Sequence, residues 1–69
     1  MKNAIEIEWT GKRYANDADE KRGEAAAHDA LAGGASKEDA ARAYAAAMCR
    51  GWREIPENFS LIIDGDLVY

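Results

Sequence analysis

The only histidine of the chain, His28, is the first candidate for acid–base chemistry, because an imidazole titrates near neutral pH. Glu24 lies one helical turn before it and Asp29 follows it directly. A Glu-x-x-x-His pair is common on helix surfaces. It supplies at most two metal ligands, with no cysteine or second histidine to complete a zinc site. We therefore interpret His28 as a surface residue paired with Glu24, with no chemical role.

Nucleophilic side chains are equally sparse. Ser36 fits a helix cap and Ser60 the outer face of a strand, and one histidine does not make a catalytic triad. The single cysteine, Cys49, excludes an internal disulfide and is interpreted as a reduced filler within a helix. The glycines match neither the dinucleotide fingerprint nor the P-loop. We predict that the protein is not an enzyme and uses no metal or cofactor.

Acidic residues are more distinctive. The net charge is −4, which disfavours direct binding to phosphate backbones. From residue 54 to the end there are four acids and no Lys or Arg. One interpretation is solubility and protection of sheet edges. The other is a negative surface complementary to a basic groove that normally holds nucleic acid. It predicts these partner-binding residues: Glu6, Glu8, Glu57, Asp64, Asp66, Asp17, Asp19 and Glu20.

Three arginines offer an alternative partner-binding face, on the central helix predicted around residues 36–52: Arg42, Arg50 and Arg53. Three cations on an acidic domain are too few for strong counterion-driven binding to nucleic acid. They fit either a solvated face that pairs with nearby acids or polar contacts in a protein interface, where arginine is enriched. The latter interpretation predicts an antitoxin-like or regulatory interaction module.

The elements that must position these residues are organised around the stretch 36–52, SKEDAARAYAAAMCRGW. Ser36 is a good N-cap because its hydroxyl can accept from the N–H of Asp39. Gly51 fits the position just past a helix end. The helical spacing of apolar residues predicts one buried face: Ala41, Tyr44, Ala45, Met48 and Trp52.

Before this helix, residues 4–10 alternate between apolar and polar side chains, which predicts a half-buried strand. Residues 13–15 are predicted to return as a short second strand. Another helix is predicted from Asn16 or Asp17 to residues 33–34, with Asp17 and Glu20 at the spacing of a capping box. Within it, Gly23 is expected to destabilise the helix by about 1 kcal/mol relative to alanine.

After the central helix, residues 54–58 are predicted to be a linker, residues 59–63 a strand and residues 66–69 a final strand. Asp64-Gly65 between these strands is a strong hairpin signal. The order β(β)ααββ predicts one α+β domain over residues 1–69, with a small antiparallel sheet of three or four strands and two helices packed on one face. The predicted core anchors are Ile5, Ile7, Trp9, Tyr14, Leu31, Tyr44, Met48, Trp52, Ile55, Phe59, Leu61, Ile63, Leu67 and Tyr69.

No apolar run approaches the roughly 20 residues of a membrane span. The alternating N-terminal stretch also differs from a signal sequence. The expected location is therefore the cytosol.

An acidic, alanine-rich α+β chain of 69 residues without catalytic residues resembles the small inhibitor proteins of phages and mobile elements. It is similar in particular to anti-CRISPR proteins directed at type I surveillance complexes, several of which are acidic and block DNA access. The resemblance covers size, charge and general build over the whole chain, and no residue motif carries it. It implies a monomeric, DNA-mimic-like inhibitor that binds a protein subunit of such a complex in the bacterial cytosol.

Overall fold

The computed structural model describes residues 3–69. Residues 1–2, which belong to the N-terminal stretch compared above with a signal sequence, lie outside this range. Two helices and a three-stranded sheet follow in the order β-α-α-β-β, which confirms the predicted α+β class. The elements are β1 (Ile5–Trp9), α1 (Asp17–Ala32), α2 (Lys37–Met48), β2 (Phe59–Ile63) and β3 (Asp66–Leu67).

The strands form an antiparallel sheet in the order β1-β2-β3. β1 and β2 pair along their whole lengths, from Ile5 opposite Ile63 to Trp9 opposite Phe59. Alternate residues of β2 are buried, namely Phe59, Leu61 and Ile63, and the two residues between them are half-buried. Because side chains alternate along a strand, one sheet face packs on the helices and the other is open.

The turn between β2 and β3 consists of Asp64 and Gly65, as the Asp-Gly signal predicts. Both residues have a positive φ, 51° and 84°, which a type I′ turn requires. The Asp64 carboxylate also accepts hydrogen bonds from the Asn3 side-chain amide at 2.6 Å and from the Ala4 N–H at 2.9 Å. The turn therefore holds the start of β1 against the hairpin.

The last strand, β3, is shorter than the predicted 66–69 and covers only Asp66–Leu67. Beyond it, the Val68 N–H still donates to the Leu61 carbonyl at 3.0 Å. The Tyr69 ring stacks on Phe59 with 5.1 Å between centroids. The end of the chain thus follows the sheet without completing a regular ladder.

The predicted return strand at residues 13–15 is wrong, since these residues form no ladder. The Asn58 side-chain amide donates to the carbonyls of Thr10 at 3.0 Å and Lys12 at 2.7 Å. The Thr10 N–H in turn donates to the Asn58 carbonyl at 2.9 Å. Because Asn58 uses these backbone groups, the chain after β1 is fixed by a side chain instead of a fourth strand.

Helix α1 begins with a capping box, but its residues are not the predicted Asp17 and Glu20. Asn16 is the N-cap, and its side chain accepts from the Asp19 N–H at 2.8 Å, while the Asp19 carboxylate accepts from the Asn16 N–H at 3.3 Å. Glu20 instead accepts from the Trp9 indole at 2.9 Å. The sequence also allows a helix start at Asn16, so the predicted capping box is displaced by one residue from the observed one.

Helix α2 starts as predicted, since the Ser36 hydroxyl accepts from the Asp39 N–H at 3.1 Å. It ends at Met48, however, and Trp52 lies beyond it in the connection. Gly51, three residues later, has a positive φ of 81°, a conformation that does not continue a right-handed helix. Arg22 of the other helix donates to the carbonyls of Ala47 at 2.6 Å and Met48 at 3.1 Å. A cation at the last carbonyls of a helix satisfies free acceptors and complements the helix dipole.

The two helices are in close contact at Gly23 of α1 and Tyr44 of α2. A Cβ on Gly23 would lie 2.7 Å from the Tyr44 ring and 2.9 Å from its carbonyl oxygen. Both residues are buried, and burial raises the pKa of Tyr44 to about 12. Gly23 is therefore needed for helix packing, which a propensity scale cannot show.

The buried apolar residues form one cluster whose largest fully buried members are Met48, Leu61 and Ile63. Trp52 is half-buried against this cluster, so its predicted burial holds only in part. Four predicted anchors are wrong because their side chains are exposed: Tyr14, Ile55, Leu67 and Tyr69. Three of the four lie outside the regular strands, where alternation gives no inward direction.

Replacing Gly23 by alanine should lower the free energy of unfolding by about 1–3 kcal/mol, because overpacking outweighs the better helix propensity. Urea unfolding followed by circular dichroism measures the change. As a control, Ala25→Gly at an exposed position of the same helix should cost about 1 kcal/mol through propensity alone. A Gly23→Ala protein more stable than wild type would contradict the close approach of the helices.

Candidate interaction surface

The three predicted acids of α1 are held by intramolecular partners. Asp17 and Glu20 both bind the guanidinium of Arg13, at 2.7 Å and 2.9 Å. The hydrogen bond from Arg13 lowers the pKa of Asp17. Asp19 accepts from Arg22 at 2.9 Å in addition to its role in the capping box. This cluster fixes the start of α1, and its negative charge is largely compensated by neighbouring arginines.

The two hairpin acids are also occupied. The side-chain amide of Asn3, and after it the N–H of Ala4, hold the pKa of Asp64 below its usual range. Asp66 accepts from the Lys37 ammonium at 2.7 Å. It stands opposite the buried Ile63 in the ladder, so its side chain is on the helix face of the sheet. Asp66 is therefore not on the sheet face that carries Glu6 and Glu8, which stand opposite Ile62 and Ser60.

Glu6 and Glu8 lie on the open face of the sheet. Glu6 is opposite Ile62, which is opposite Leu67, so these three residues form a row across all three strands. Glu8 is opposite Ser60 in the next row. Both glutamates are exposed, and within residues 3–69 neither makes an ion pair or a side-chain hydrogen bond. We call these five residues the open sheet face.

The charges of this surface are of one sign. The open sheet face carries Glu6 and Glu8 and no Lys or Arg, and the third charge of the strands, Asp66, is on the helix face. Leu67 is 69% exposed, and with Ile62 it places apolar area beside the two carboxylates. The arrangement is an apolar strip bordered by negative charge, a composition that suits a protein partner with a positive surface.

Glu57, the remaining predicted acid, lies in the connection before β2. It is exposed and directly precedes Asn58, whose amide is bonded to Thr10 and Lys12. Glu57 is therefore at the Trp9 end of the β1/β2 ladder, where it lines an open groove together with Glu54.

The three predicted arginines do not form a stripe on one helix. Arg42 is on α2 and pairs with Asp39 one turn earlier. Arg50 and Arg53 come after the end of α2 and are exposed in the connection. The prediction of a shared helix face extended α2 beyond Met48, where Arg22 caps it.

His28 makes the expected pair with Glu24, with 3.7 Å between the imidazole Nε2 and a carboxylate oxygen. Among residues 3–69, no three His, Cys, Asp or Glu side chains are placed to bind a metal ion together. Cys49 is buried, and desolvation raises the pKa of its thiol. A raised pKa disfavours the thiolate, which is the nucleophilic form of cysteine.

One feature escaped sequence reasoning: a groove of about 660 Å³ beside Tyr14 and Trp52. The sequence predicts both aromatic residues in the core because they are hydrophobic. Pro56 adds a further apolar wall. The available signal was the irregular segment 50–58, where a tryptophan and a proline follow a helix end without strand or helix periodicity.

The chain matches no protein-family model, no curated protein and no solved structure. Neither helix within residues 3–69 has the length and apolar character needed to cross a lipid bilayer.

The hydrogen bonds to Asp64 predict a loss of stability in acid. Its folded-state pKa lies below the usual 3.8, so its contribution is complete above that pH and is lost as the pH falls through the folded-state value. Asp64→Asn should therefore be less stable than wild type at about pH 6, and the difference should shrink at about pH 2. Urea midpoints at the two pH values measure both quantities.

The matched background for this test is Asn3→Ala, which removes the larger cause of the shift. In that background the pH-dependent part of the Asp64→Asn effect should be smaller. An Asp64→Asn effect of equal size at both pH values would show that the carboxylate does not stabilise the hairpin through its charge.

Proposed function

We propose that this protein is a non-enzymatic inhibitor whose open sheet face binds a basic surface of a protein partner, one that otherwise holds nucleic acid. The observation that supports the proposal is the contrast among the acids. Five of the eight candidates are engaged within the fold, whereas Glu6, Glu8 and Glu57 are exposed and without an ion pair among the described residues. Of these three, Glu6 and Glu8 share the open sheet face, where their charges are free to meet a partner.

The physical basis is electrostatic complementarity. A pair of carboxylates on the open sheet face presents negative charge to a partner's arginines and lysines, as phosphates do. Such complementarity chiefly raises the association rate, and salt weakens it because exposed charges are screened over about 8 Å at physiological ionic strength. Ile62 and Leu67 in the same face would add apolar contact that is insensitive to salt.

The proposed partner is a subunit of a type I CRISPR–Cas surveillance complex, and the proposed location is the cytosol of a bacterial host. Support comes from the resemblance in size, charge and α+β build to anti-CRISPR proteins of phages. The protein would act as a monomer and occupy the path of target DNA without binding DNA itself. The alternative is an antitoxin-like or regulatory module that uses Arg42, Arg50 and Arg53.

Reversing both charges of the face tests the proposal. Glu6→Lys/Glu8→Lys changes the net charge from −4 to 0, since each substitution adds two charges. We expect it to slow association with a purified type I surveillance complex by about tenfold or more, and to abolish most of the salt dependence. The measurement is stopped-flow or biolayer association at low and high salt, with displacement of a labelled target duplex as the functional readout.

The matched control is Asp29→Lys/Glu38→Lys, which gives the same net charge from exposed helix positions. It should associate and displace DNA nearly as wild type does. Inhibition that survives the sheet-face reversal would rule out the proposed surface. If Arg50→Glu/Arg53→Glu abolished binding instead, the alternative would replace it, and a wild-type protein without effect on the complex would exclude this partner class.

A further inference from the structure

We propose that the groove beside Tyr14 and Trp52 binds an arginine side chain presented by a segment of a protein partner. The groove has a volume of about 660 Å³ and is lined by Tyr14, Trp52, Pro56, Lys12, Glu54 and Glu57. Sites of about 300–1,000 Å³ accommodate ligands larger than one side chain. A short peptide segment with one arginine therefore suits the space better than a free amino acid.

The walls of the groove are held in place by hydrogen bonds in the folded protein. Asn58 joins the segment after β1 to the segment before β2 through its bonds to Thr10 and Lys12. On the other side of the groove, the backbone N–H of Trp52 donates to the Cys49 carbonyl at 2.9 Å, just past the end of α2. A groove formed in advance loses less conformational entropy when a ligand binds.

The aromatic walls favour a cation. Tyr14 is 53% exposed, so part of its ring is accessible to a ligand. The Lys12 ammonium already lies over the Tyr14 ring, 5.0 Å from the centroid, so one side of this ring is in use as a cation site. Trp52, the stronger cation–π partner, has no such contact among the described residues. A planar guanidinium can stack on an indole, which a compact ammonium does less well.

The charges of the groove residues also favour arginine as the ligand. Glu54 and Glu57 are exposed groove residues, and Lys12 is the single cation in the lining. Two negative charges and one positive charge leave the groove with −1. A guanidinium can donate two parallel hydrogen bonds to a carboxylate, so arginine satisfies both the aromatic and the acidic residues. The inference goes beyond the proposed function, because the groove residues are not part of the open sheet face.

The test is an NMR titration of the full chain, labelled with nitrogen-15, with the peptide acetyl-Ala-Arg-Ala-amide. The two tryptophans give two indole N–H signals. Because the Trp9 ring lies 6.3 Å from the Tyr14 ring of the groove, the internal reference is the backbone amide of Gly34, which lies between the end of α1 and the start of α2. We expect a saturable shift of the Trp52 indole signal with little change in the Gly34 signal. The citrulline peptide, which has the same shape without the charge, should bind about tenfold more weakly, equal to about 1.4 kcal/mol.

The variant Glu54→Gln/Glu57→Gln should also weaken binding of the arginine peptide by about tenfold. Asp29→Asn/Glu38→Gln, which removes two exposed acids outside the groove, should bind within about twofold of wild type. An unmoved Trp52 signal, equal binding of the citrulline peptide, or free arginine binding as tightly as the peptide would each overturn the proposal. None of these measurements uses the proposed inhibitor activity, so the two proposals fail independently.

Discussion

The close approach of α1 and α2 at Gly23 and Tyr44 is the constraint on which the rest of the fold depends. A side chain at position 23 would meet both the ring and the carbonyl of Tyr44, so the helices could not lie at this separation. That separation brings Arg22, the neighbouring residue, within reach of the last carbonyls of α2. Arg22 thus binds the end of α2, just before the irregular connection that carries Trp52.

A chain of 69 residues rich in alanine has few large side chains to bury, so polar links between elements matter more than in a larger domain. Asp64 holds the start of β1, Lys37 joins α2 to β3 through Asp66, and Glu20 joins β1 to α1 through Trp9. Acidic residues are thus part of the scaffold. The number of acids in the sequence therefore overstates the negative surface that is available to a partner.

Elements with local signals could be predicted from the sequence: the alternation of β1, the Ser36 cap, strand β2 and the Asp-Gly turn. The predictions are wrong where the local structure depends on a contact with a residue that is distant in the sequence. Arg22 binds the last carbonyls of α2, and Asn58 fixes the segment after β1 through the carbonyls of Thr10 and Lys12. Tyr44 turns a helix-weakening glycine into a packing requirement. That Asp66 and Glu6 lie on opposite sheet faces follows only from the register of β3, which the sequence does not reveal. The groove is lined mainly by irregular segments, and no periodic pattern in the sequence predicts their course.

β1 is an edge of the sheet, and charged side chains protect such edges from pairing with other chains. Edge protection could therefore account for Glu6 and Glu8 without any partner. The two explanations differ in the sign of charge that they require. Lysine protects an edge at least as well as glutamate, so protection alone is indifferent to charge reversal, whereas docking on a basic surface is not. The sign of the charge at positions 6 and 8, more than its presence, separates a protective role from a binding role.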